Sequence, residues 1–92
     1  MTSEPTTAAI GRQIIGQLEQ EPQYESGIQL EGYRPYDPWA RQRLETHLKV
    51  LAEKSFIERE PSAPGVRTLG KWRPTALGLE HRTRQDFLAD ER

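Results

Sequence analysis

DPWARQRLETHLKVLAEKSFIERE, residues 37–60, is the stretch whose reading decides the fold. Asp37 suits an N-cap because its carboxylate can accept from the unpaired N–H groups of a first helical turn, and Pro38 fits the first helical position, where no N–H is required. Ala40, Leu44, Leu48 and Leu51 then recur at spacings of four, four and three, which stacks them on one stripe of a helix. That stripe must face a core. Gln42, Glu45, Thr46, Lys49 and Glu53 fall on the opposite side, with Arg41, Arg43 and Lys54 on the flanks. From Ser55 to Glu60 the period shortens, and Phe56 and Ile57 bring an aromatic beside a β-branched residue, so the helix gives way to a strand.

The 92 residues suit one small domain with one core, with little margin for a deep catalytic cleft. Hydrophobic residues make up 34% and charged residues 29%, the balance of a soluble protein with generous polar surface. With no cysteine, disulfides and thiolate metal sites are excluded, and the usage agrees with a reducing interior. The first residues, MTSEPTTAAI, lack the basic start and apolar run of a secretory signal, and no stretch approaches the roughly 20 apolar residues of a membrane span. The expected location is cytoplasmic, away from the membrane.

The net charge of −1 conceals an asymmetry. Residues 1–31 hold one Arg against five Glu, a balance of −4, and residues 32–92 hold twelve Lys or Arg against nine Asp or Glu, a balance of +3. Between Pro61 and Arg84 five cations (Arg67, Lys71, Arg73, Arg82 and Arg84) face Glu80 alone. This local bias is the guide to a partner.

Outward from the central stretch, residues 1–7 read as a flexible N-terminus, with Thr6 or Thr7 available as a cap. Ile10, Ile14 and Leu18, with Ile15 beside them, predict a first helix over 8–20 that Pro22 ends. Its two glycines, Gly11 and Gly16, either admit another backbone or weaken the helix. Ile28 and Leu30, alternating with Gln29 and Glu31, predict a short strand. Tyr33 and Tyr36 read as an apolar cover over the start of the central helix. Beyond it, the breaker cluster Pro61 to Gly65 predicts a hairpin over 56–73. On its return strand Val66, Thr68, Gly70 and Trp72 share one face, and Arg67, Leu69, Lys71 and Arg73 the other. Thr75 then caps a last helix running to about Ala89.

The order helix, strand, helix, strand, strand, helix is that of a winged-helix domain, an α+β fold with a three-stranded antiparallel sheet, here over 8–90. HLKVLAEKSFIERE (47–60) resembles the end of a recognition helix and the first wing strand of winged-helix regulators, and KWRPTALGLEH (71–81) resembles the second wing strand and the Leu-Thr-x-x-Gly start of the next helix, with Pro74 in place of the apolar residue. The chain is similar to a family of short bacterial and phage winged-helix proteins. Only Glu31 to Tyr36 is left for the positioning helix of that fold, so this element is shortened or lost. The resemblance implies double-stranded DNA as the partner and transcription regulation as the role.

On that reading Arg41, Gln42, Thr46 and Lys49 face the groove, where Arg and Gln can pair with guanine and adenine edges, and Arg67, Lys71 and Arg73 hold phosphates. The same residues also read as solvated faces and cross-strand partners. The competing function is a protein-interaction or dimerisation module, favoured by Glu45, Glu53 and the missing positioning helix. A homodimer through the first and last helices follows from the apolar side chains Ile10, Ile14, Leu18, Leu79, Phe87 and Leu88. Enzyme activity is not expected: no phosphate loop, metal-ligand cluster, cofactor motif or nucleophile motif occurs. His47, bordering the apolar stripe, reads as a packed and hydrogen-bonded core residue, and Glu58 and Glu60 as members of cross-strand ion pairs.

Overall fold

The computed structural model describes residues 6–30, 37–61, 64–65 and 70–89. Among them are three helices, α1 (Thr7–Gln20), α2 (Pro38–Glu53) and α3 (Ala76–His81), and an antiparallel pair of strands, β1 (Ile57–Arg59) and β2 (Trp72–Pro74). The chain is thus a small α+β domain. The expectations for residues 1–5, for Tyr33 and Tyr36, and for Val66 to Leu69 lie outside the described residues.

α1 begins where Thr6 Oγ1 accepts from Ala9 N at 3.1 Å. Ile10, Ile14, Ile15 and Leu18 are all within 1% of complete burial. α2 begins as the sequence predicts, with Asp37 Oδ1 accepting from Trp39 N at 2.9 Å and Pro38 at the first position. Its stripe also holds, since Leu44, Leu48 and Leu51 are buried. The helix ends in a Schellman turn: Phe56 N donates to Leu51 O at 2.9 Å and Ser55 N to Ala52 O at 3.0 Å. This turn needs a left-handed residue, and Ser55 supplies it at φ 64°. The reversal drives Phe56 and Ile57 into the core and starts β1.

The register pairs Ile57 with Pro74, Glu58 with Arg73 and Arg59 with Trp72. Thr75 then joins four elements. Its N–H donates to Phe56 O at 3.0 Å, its hydroxyl donates to Ser55 O at 2.6 Å, and the same oxygen accepts from Gly78 N at 3.0 Å to cap α3. Gly78 is required here, because a Cβ would collide with the Phe56 carbonyl oxygen.

Three expectations are corrected. The predicted strand at 28–30 does not pair with the hairpin, so the described sheet has two strands instead of three. The burial alternation is as expected, with Ile28 and Leu30 buried and Gln29 exposed. A side chain takes the place of the strand partner, however: Gln17 Nε2 donates to Gln29 O at 2.5 Å and Gln29 N donates to Gln17 Oε1 at 3.1 Å. A third extended segment does reach β2, but through Gln23, which exchanges N–H···O bonds of 3.1 and 2.7 Å with Trp72 in a single bridge.

The last helix stops at His81 instead of running to Ala89. Arg12 Nε donates to Arg82 O at 2.8 Å and Nη2 to Arg84 O at 2.9 Å, so carbonyls of the following segment bond to a guanidinium. Arg82 also pairs with Glu19. Residues 82–89 continue as turns that fold Phe87 and Leu88 back onto α1, against Gly11, where a Cβ would lie 2.8 Å from Leu88 Cδ1. Gly11 is therefore a close-approach glycine, while Gly16 has open space around it.

The third correction concerns the surface expected to build a homodimer. Ile10, Ile14, Leu18, Phe87 and Leu88 all lie in the core of the single chain, and Leu79 packs against it. His47 is 9% exposed, with Nδ1 2.7 Å from Arg43 O. Because a carbonyl only accepts, Nδ1 is the protonated nitrogen.

Leu48→Ala or Leu51→Ala is expected to cost about 2–5 kcal/mol in denaturant melts, because each removes a fully packed side chain from a small core. A loss below about 0.5 kcal/mol for both would mean that α2 is rotated. The glycines should separate: Gly16→Ala should stabilise by up to about 1 kcal/mol through helix propensity, whereas Gly78→Ala should destabilise by about 1–3 kcal/mol through its clash with backbone.

Candidate nucleic-acid interface

With the apolar stripe buried, α2 presents a continuous outer face about 24 Å long. Arg41, Gln42, Glu45, Thr46, Lys49 and Glu53 are all exposed on it, as the helical spacing predicts. Trp39, in the first turn, is 73% exposed. It lies three residues before Gln42 and seven before Thr46, on the same stripe, and its position outside the Ala40–Leu44–Leu48 line was the available signal. Along this face Arg41 and Gln42 lie near the N-terminus and Glu45 at the middle of the helix, and Lys49 stands between Glu45 and Glu53 at four-residue spacings.

Three expected contacts have other engagements. Thr46 Oγ1 donates to Gln42 O at 3.0 Å, so its proton is spent inside the helix and the hydroxyl is left as an acceptor. Arg73 Nε donates to Glu58 Oε1 at 3.0 Å, a half-exposed ion pair between residues that the register places opposite each other. Lys71 Nζ sits 5.4 Å from the centre of the Tyr24 ring. Arg67 lies outside the described residues. Arg41 and Lys49 project from α2 into solvent.

Between α2 and the hairpin lies an open groove of about 460 Å³, lined by Glu25, Glu45, Leu48, Lys49, Ala52, Glu53, Arg59 and Trp72. Arg59 is held within the fold. Its guanidinium stacks over the Trp72 ring at 4.1 Å and Nη1 donates to Gly70 O at 3.1 Å. This stack follows from Arg59 standing opposite Trp72 in the hairpin, a register that the alternation of residues along each strand does not fix by itself. Trp72 Nε1 is buried and has no hydrogen-bond partner among the described residues.

Among the described residues no three His, Asp or Glu side chains converge to hold a metal ion, and no helix is long and apolar enough to cross a membrane. No family model matches the chain, and neither a curated protein nor a solved structure matches it.

A double-mutant cycle of Arg59→Met and Trp72→Leu is expected to give a coupling of about 0.5–1 kcal/mol in thermal melts, since Met keeps the packing and removes the cation. Additive effects would show that the stack contributes nothing to the hairpin.

Proposed function

We propose that this chain is a small winged-helix DNA-binding protein of the bacterial or phage regulator type, presenting the N-terminal half of α2 to a duplex groove and the hairpin to the phosphates. The reading rests on one observation above all: α2 buries Leu44, Leu48 and Leu51 on one side and leaves Trp39, Arg41 and Gln42 exposed in its N-terminal half. In helix-turn-helix recognition the N-terminal residues of the inserted helix meet the base edges. Arg41 there can pair with guanine O6 and N7, and Gln42 with adenine N6 and N7. The helix dipole adds positive potential at the same end.

The engagements of the hairpin cations do not withhold them. A half-exposed pair such as Arg73 with Glu58 contributes roughly 0–1 kcal/mol, and an exposed ammonium over a ring about 0.5–1 kcal/mol, both small enough for a phosphate to displace. Glu45 and Glu53 act the other way, one helical turn to either side of Lys49, and limit how far phosphates can follow α2. The footprint is therefore short, with Lys49, Arg67, Lys71 and Arg73 as its phosphate contacts.

Four such contacts predict a slope of log K against log salt of roughly −3.6. Titration of labelled random duplex at about 50 mM salt should show binding, and Lys71→Gln and Arg73→Gln should each lower the slope magnitude by about 0.9 while weakening all sequences equally. Gln42→Ala should instead relax sequence preference in a selection from random duplexes. No binding with tens of micromolar protein at about 50 mM salt would remove the DNA reading, because four released counterions give a measurable affinity there.

A further inference from the structure

The groove between α2 and the hairpin has the opposite chemistry to the DNA-facing half of the helix. Its floor is apolar, made by Leu48, Ala52 and the Trp72 ring. Its rim carries three carboxylates, Glu25, Glu45 and Glu53. None of the three forms an ion pair among the described residues. Of the two cations on the lining, Arg59 is committed to Trp72 and the Gly70 carbonyl, which leaves Lys49 alone against the rim.

We propose that this groove docks a basic segment of a protein partner, one that places an arginine or lysine beside an apolar side chain. The apolar side chain would lie on Leu48 and Trp72, and the cation would meet Glu45 and Glu53. Three carboxylates against the one uncommitted cation, Lys49, favour a cationic occupant over nucleic acid. A lone metal ion is excluded by the arrangement, since the carboxylates surround the groove without converging. The volume of about 460 Å³ suits a few residues of a chain.

The chain has two tryptophans, one on each surface, so their indole N–H resonances distinguish the two sites. The probe is a short peptide alternating arginine and leucine, blocked at both ends and titrated into the full chain to about 1 mM, where a Kd of that order half-fills the site. The expected result is a shift of the Trp72 indole resonance with little change at Trp39. The paired substitution Glu45→Gln and Glu53→Gln, both at exposed positions of α2, should weaken the peptide about three- to tenfold and leave the melting temperature near its original value. A Trp72 resonance that does not move, or moves equally with a glutamate–leucine peptide, would overturn the proposal. Duplex DNA should instead move Trp39. A peptide that shifts Trp72 while duplex shifts neither resonance would support the groove and remove the DNA reading.

Discussion

Thr75 and the carbonyls of Ser55 and Phe56 form the joint on which the rest of the domain depends. Through its N–H and its hydroxyl, one residue fixes the end of α2, the start of β1, the end of β2 and the first turn of α3. The joint works because Ser55 accepts a left-handed conformation and Gly78 has no side chain to keep α3 off the Phe56 carbonyl. Both conditions are local, yet they set where the hairpin stands relative to α2. The width of the groove and the spacing between helix and hairpin cations follow from that angle.

The other end of the domain is closed by a charge. Arg12 offers planar donors to two carbonyls, those of Arg82 and Arg84, and so replaces the backbone partners that a longer helix would have supplied. The gain is geometric. Turns from 82 to 89 bring Phe87 and Leu88 onto α1 at Gly11, where they complete the core. A small domain has little apolar surface to spare, and here the terminal segments use theirs on each other.

On α2 the exposed face changes character along its length. Trp39, Arg41 and Gln42 lie toward the N-terminus, where the helix dipole adds positive potential, and beyond them Glu45 and Glu53 flank Lys49. The N-terminal end therefore favours anions more than the remainder of the face does. This is the physical basis for proposing a duplex at that end and a basic protein segment in the groove beside the remainder.

The sequence by itself determined the elements whose causes are local. The Asp37–Pro38 start of α2, its Leu44–Leu48–Leu51 stripe, its exposed Arg41, Gln42 and Lys49, the burial of His47 and the Thr75 cap all follow from spacing and capping chemistry within a few residues. The facing of Glu58 and Arg73 was also within reach of pattern. Only the tertiary structure decided what satisfies backbone groups across long separations: Gln17 holding Gln29 in place of a strand, Gln23 bridging Trp72, Arg12 ending α3, and Arg59 stacking on Trp72. In each case a polar side chain or an isolated backbone pair competes with a regular ladder at similar energy, about 1 kcal/mol per bond. Periodicity does not register that competition, because it depends on which segments the packed core brings within hydrogen-bonding distance.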